Sequence, residues 1–177
     1  SKVVKRVSEP CGLIDIPPTV LSLAGIEIPE TMTGVDLSQY RNEEYTQPKR
    51  GLYSESLTAT KYNGNRLLGI IEGPWHYIQT TRPELYNRLT DPKEQVNLIS
   101  TNPRLAGKLQ TDLANILESV AQNEQDTSVE IDQNTVNMLE SLGYVSGTID
   151  ADISFDSNKP DPKDLLDVHG AFSRVIT

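Results

Sequence analysis

One cysteine, Cys11, stands in 177 residues, so no disulfide framework can form within the chain. Aromatic residues are scarce at 6 %, and hydrophobic residues reach only 36 %, lean but sufficient for a small core. No stretch approaches the ~18 uninterrupted apolar residues of a membrane span. The opening residues, Ser1 to Val7, lack the apolar segment of a signal peptide. Basic residues are outnumbered, 16 against 25 acidic, and the net charge of -9 repels phosphates. A non-specific nucleic-acid role is therefore excluded. No Gly-rich phosphate cradle, no G-x-S-x-G nucleophile turn and no repeat of ~34 residues is present.

The charge is unevenly spread. Residues 1–108 hold 13 Lys/Arg and 12 Asp/Glu, whereas residues 109–177 hold 3 and 13. A balanced globular surface is thus followed by an acidic extension, or by a helical surface that is merely acidic. The length allows one ordinary domain or two small ones.

Local patterns divide the chain further. Lys2 to Val7 reads as a short strand. Leu13 to Gly25 reads as a helix, with Asp15 as cap, Pro17 and Pro18 in the first turn, and Gly25 beyond its end. Ile16, Val20 and Leu23 share one face of that helix, and a single strand offers it little to pack against. The chain is accordingly expected to start inside a larger domain, with this apolar face uncovered. After a loop-rich stretch, 52–57, 66–71, 75–80 and 84–89 read as three or four antiparallel strands, with Glu72-Gly73-Pro74 turning a hairpin. Asn102 and Pro103 open a long helix whose Leu105, Leu109, Leu113, Ile116, Leu117 and Val120 form one apolar stripe. The fold class predicted is α+β, a three- to four-stranded antiparallel sheet packed by one long helix over 51–121. A short helical extension is predicted over 122–145, an acidic linker over 146–160, and a further helix over 161–177 that ends as abruptly as the chain begins.

Chemistry-bearing residues are few. Cys11 lies before a helix, where its thiol would be activated only with a base nearby, and it is read as buried or structural. His76 sits between Trp75 and Tyr77 in a strand, a structural cross-strand position, and His169 lies on a core- or partner-facing stripe. One histidine without neighbouring ligands makes no zinc site. Asp150, Asp152, Ser154, Asp156 and Asp161 mimic a calcium loop, but Phe155 occupies the turn position that needs Gly, and Asp161 replaces the bidentate Glu. A solvated acidic linker accounts for them better.

Taken in order, several segments resemble the C-terminal part of a sulfatase of the alkaline-phosphatase superfamily. They are Gly12-Leu-Ile-Asp-Ile-Pro-Pro-Thr-Val-Leu-Ser-Leu-Ala-Gly-Ile26, Pro29 with Thr33-Gly-Val-Asp-Leu37, Leu52-Tyr-Ser-Glu-Ser56, Trp75-His-Tyr-Ile78, Pro83-Glu-Leu-Tyr86, and Asp91-Pro-Lys-Glu-Gln-Val-Asn-Leu98. The resemblance covers roughly 3–121. Met138 to Val145 with Asp161 to Leu166 is similar to the linker of longer sulfatase-like proteins that continue into helical repeats. The resemblance implies that 1–40 is the edge of a catalytic domain whose larger, N-terminal part is missing, and that 51–121 is the smaller C-terminal subdomain beside the active-site cleft. It implies a formylglycine nucleophile and a calcium ion in the full-length protein, neither carried by this chain. Ser8-Glu9-Pro10-Cys11-Gly12 imitates the formylglycine motif, but Cys11 and Gly12 stand where Ser/Ala and Arg belong.

The substrate implied is a sulfated small molecule or carbohydrate, and the location implied is periplasmic or secreted. Tyr53, Glu55, Tyr62 and Asn63, at or after the first strand, are the substrate-pocket candidates. Read from the residues alone, they are better accounted for as a cross-strand Tyr, a surface Glu and an Asn63-Gly64 turn. Two other functions stay open: a non-enzymatic binding module, and part of a related phosphoester hydrolase.

Overall fold

The computed structural model describes residues 6–125 and 156–175. Four strands, β1 (Leu52–Ser56), β2 (Leu67–Glu72), β3 (Trp75–Gln79) and β4 (Glu84–Asn87), form one antiparallel sheet in chain order. Each lies within two residues of its predicted bounds. The β2–β3 turn closes at Gly73, whose φ of +55° is a left-handed value that glycine adopts without a Cβ penalty. The edge of β4 is covered by the following loop, where Leu98 N–H donates to the Leu85 carbonyl and Leu85 N–H to Asn97 Oδ1. That pairing protects a strand edge that would otherwise invite another chain.

Register fixes the two faces. Tyr53 pairs with Ile70, Ile70 with Tyr77, and Tyr77 with Leu85. Cross-strand partners point the same way, so these four share one face. The helix α2 (Pro103–Gln125) lies across β2 and β3 on that side. Its Leu109, Leu113 and Leu117 pack with Leu68, Ile70, Tyr77 and Leu85 into the core. Each such leucine contributes roughly 1.5–3 kcal/mol by leaving water. The opposite face carries Leu52, Ile71, His76 and Tyr86 in one row and Ser54, Gly69, Ile78 and Glu84 in the next. Leu52, Ile71, His76 and Ile78 there are only half-buried.

A 3-10 turn, Leu13–Asp15, precedes α1 (Ile16–Leu23), and Gly25 ends the helix region with φ +71°. Ile16, Val20 and Leu23 are 52 %, 57 % and 55 % exposed, so the apolar face of α1 is uncovered as expected. Asp15 departs from expectation. Its side chain makes no cap bond to α1 and is fully buried instead. Arg6 and Val7 are not in a strand, and the rest of that expected strand, residues 1–5, lies outside the described residues.

Towards the other end, the expected extension 126–145 and most of the expected linker lie outside the described residues. Residues 156–160 do not behave as linker. Asn65 Nδ2 donates to the carbonyls of Asp156 and Lys159 at 3.0 and 3.1 Å, and Asp156 N–H returns a bond to Asn65 Oδ1. Asp161 then caps the 3-10 helix Pro162–Leu165, accepting from Lys163 N–H, and leads into α3 (Leu166–Val175).

Candidate functional site

Alternation along β1 decides where its side chains go. Tyr53 and Glu55 fall on the α2 side, and Tyr53 Oη donates to Glu55 Oε2 at 2.7 Å. Tyr53 packs against the core, and Glu55 is exposed. Burial, and then the neighbouring Glu55 carboxylate, raise the Tyr53 hydroxyl above its ordinary range, so it stays a proton donor. Tyr62 ends a 3-10 helix, Thr58–Tyr62, and its hydroxyl lies 3.1 Å from His169 Nδ1 on α3. Asn63 takes the left-handed conformation, φ 58°, that closes this helix. The structure thus joins Tyr53 to Glu55 and Tyr62 to His169, and it uses Asn63 through its backbone.

Sequence reasoning did not find the buried cluster at Asp15. Its Oδ1 accepts from Val35 N–H at 2.9 Å and Arg50 Nη1 at 2.7 Å, while Oδ2 accepts from Gly12 N–H at 2.8 Å and from Arg50 Nη2. Burial alone would raise the carboxyl pKa; the Arg50, Gly12 and Val35 hydrogen bonds outweigh it and hold the group below 3.8. Two clefts of about 300 and 290 Å³ adjoin Arg50, one against α2 and one against Trp75. Of the charges that line them, Arg50 pairs with Asp15, and Glu72 with Lys108 at 2.7 Å. Nearby, Asp36 caps the 3-10 helix Leu37–Arg41 through Ser38 N–H. Desolvation opposes ionisation there, but bonds from Ser22, Ser38 and Gln39 lower its pKa to about 2.

On the face away from α2, His76 Nδ1 lies 2.8 Å from Glu94 Oε1. Glu94 reaches it from a residue with φ 53°, an uncommon conformation for glutamate. The structural role expected of His76 is therefore a carboxylate–imidazole pair. Cys11, read as buried or structural, is exposed. It sits in the N-terminal approach to α1, where the packed contacts are made by Asp15 rather than by the thiol. Among the described residues, no group of three or more His, Cys, Asp or Glu is placed to hold a metal ion, and no helix is long and apolar enough to cross a membrane.

No family model matches the chain. It is similar to arylsulfatase K of Bos taurus, 25 % identical over 159 residues, which cover 78 % of this chain and 29 % of that protein. Two solved structures share the fold. One is a protein of Bacteroides thetaiotaomicron VPI-5482 proposed to be a sulfatase, with TM-score 0.55, 21 % identity, and coverage of 68 % of this chain and 27 % of that one. The other is a 2-O GAG sulfatase, with TM-score 0.54 and the same identity and coverages. The chain spans under a third of the length of each. Its α+β fold matches these sulfatase neighbours, and the sequence similarity to arylsulfatase K is consistent with a C-terminal sulfatase region.

Proposed function

We propose that this chain is the C-terminal portion of a sulfuric ester hydrolase, which shapes the substrate pocket while residues ahead of it supply the nucleophile and metal. The observation that carries the reading is the similarity to arylsulfatase K over 78 % of the chain. Residues 1–40 would form the edge of the catalytic domain and 51–121 the subdomain beside the cleft. The uncovered faces of α1 and of the sheet would then meet the rest of the enzyme, since apolar surface of that kind favours burial.

Sulfate-ester cleavage builds negative charge on the sulfuryl oxygens, which calcium and a formylglycine hydrate would meet. The described residues of this chain do not fit that pair: they offer no metal cluster, and Ser8-Glu9-Pro10-Cys11-Gly12 lacks the arginine. The work left to the chain is to bind, orient and exclude water. Tyr53 fixes the Glu55 carboxylate through one oxygen, and the other can accept from a substrate hydroxyl. Tyr62 and Asn63 would border the same pocket. A sulfated carbohydrate is the substrate class favoured by the likeness to a 2-O GAG sulfatase.

The test is turnover by the intact protein with its formylglycine matured. Sulfate esters should be hydrolysed, and residues 1–177 alone should be silent. An intact protein that cleaves phosphoesters and spares sulfate esters would overturn the assignment.

A further inference from the structure

The cleft of about 290 Å³ against Trp75 lies at the seam between the N-terminal piece and the sheet. Pro10 reaches it from the approach to α1, Pro48 from the segment before β1, and Pro74 and Trp75 from the β2–β3 hairpin. Trp75 is half-buried: it packs on the core cluster and also lines the cleft. That contact puts the cleft on the α2 side of the sheet, the side of Tyr53 and Glu55. It is not the face left for the rest of the enzyme. Seams between structural units are where ligand sites gather, and this volume stands at the small end of such sites, room for one ring.

The wall decides what kind of ring. Its cations are Lys49 and Arg50, its anions Glu9 and Glu72, so it carries no net charge and selects for no ion. Arg50 and Glu72 are committed, to Asp15 and Lys108. Glu9 and Lys49 are exposed and make no hydrogen bond or ion pair among the described residues. The Trp75 indole N–H also has no acceptor among them. An uncharged pyranose matches this set. Its C–H face can lie on proline and indole carbon, while rim hydroxyls donate to Glu9 and accept from Lys49 and the indole N–H. A charged ring would lose hydration here without a net counter-charge in return. Lys49 and Arg50 lead directly into β1, which starts at Leu52, and Glu55 lies three residues further, about 10 Å along the strand. Only an oligosaccharide reaches both places.

We propose that this cleft is a subsite for an uncharged sugar unit of the sulfated carbohydrate, with Trp75 as its platform and Glu9 and Lys49 as its hydrogen-bonding groups. This deepens the sulfatase reading and rests on it for the carbohydrate being a substrate. Binding of the sugar unit itself does not depend on that reading.

The experiment uses the intact protein and two esters with the same sulfated sugar, one a monosaccharide, the other a tetrasaccharide whose remaining units are neutral. Glu9→Ala and Lys49→Ala should each lower kcat/KM for the tetrasaccharide at least ~5-fold more than for the monosaccharide, mainly through KM. Trp75→Ala should shift the same ratio by at least ~10-fold. Because Trp75 also touches the core, the two exposed side chains keep the test independent of folding. Equal losses on both esters, or no loss, would overturn the subsite and leave the sulfatase reading standing. If the wild type hydrolyses neither ester, the sulfatase reading fails and calorimetry with the unsulfated neutral tetrasaccharide decides the subsite. Binding weakened at least ~5-fold by Glu9→Ala and by Lys49→Ala would sustain it; binding that is absent from the wild type, or unaffected by these substitutions, would refute it.

Discussion

Replacing Asp15 by asparagine keeps the shape of the buried cluster and removes its charge. Four donors converge on the two carboxylate oxygens, two on each. Asparagine has one acceptor oxygen, so one pair of donors must face its NH2 group. Arg50, whose side chain is only 17 % exposed, would be left without its counter-charge, and its Nε already lacks a hydrogen-bond partner among the described residues. Breaking a buried pair from one side costs roughly 3–5 kcal/mol. The sheet and α2 have a core of their own, so the loss should fall on the segments that Asp15 ties together. At about 3 kcal/mol, amide exchange over residues 12–24 and 33–37 should speed up more than ~100-fold, at ~1.4 kcal/mol per tenfold. Residues 67–87 serve as the internal reference in hydrogen-exchange mass spectrometry and should change little. Because the folded carboxyl titrates below 3.8, its stabilisation is present above that pH and is lost as pH falls through the folded value. The wild type should therefore show the same selective loosening only below about pH 3.8. Acceleration under about threefold, or equal acceleration in 67–87, would refute the reasoning.

Two further outcomes follow from close contacts. A Cβ at Gly34 would lie 2.0 Å from the Ile14 carbonyl oxygen and 3.1 Å from Pro18 Cγ, so Gly34→Ala should destabilise the Asp15 region by about 1–3 kcal/mol; an unchanged profile in the same exchange experiment would contradict this. Asp161 is 3 % exposed and accepts from Thr81 Oγ1 and Arg82 N–H at 2.8 and 3.0 Å, so Asp161→Ala should open residues 156–165 to limited proteolysis while α2 stays resistant. Burial pushes the Asp161 carboxyl upward, but these bonds and that of Lys163 N–H bring it well below 3.8. Its hold, too, is present above pH 3.8 and fails only as pH drops further; cleavage that is insensitive to the substitution would count against the clasp.

The parts legible in the sequence were those governed by short-range periodicity. Leu109, Leu113 and Leu117 recur every four residues, and that spacing both makes α2 and turns it toward the sheet. Glu72-Gly73-Pro74 carries its own turn chemistry, and Asp161-Pro162 its own cap. The site was harder to read, because its bonds join residues far apart. Asp15 looks like a helix cap in isolation, and only the return of the chain at Val35 and Arg50 makes it a buried anion. Asn65 has no local motif to mark it, yet it holds residues 91 positions away. Glu94 could have been singled out from Asp91-Pro92, which starts a turn, but nothing nearby requires a positive φ at that position. Alternation did separate Tyr53 and Glu55 from Ser54, whereas which residues flank Ser54 across the sheet depends on the β1–β2–β3 register.

The sheet is a meander in which every strand pairs with its sequence neighbour, and α2 follows within a few turns of chain. Such low contact order makes assembly fast, because little loop-closure entropy must be overcome before native contacts form. The body of residues 51–121 can therefore nucleate early during synthesis and act as a template. The flanking pieces would then join it later, through the Arg50 fork on one side and the Asn65 amide on the other. Assembly would thus run outward from the middle, with both latches closing after the apolar collapse.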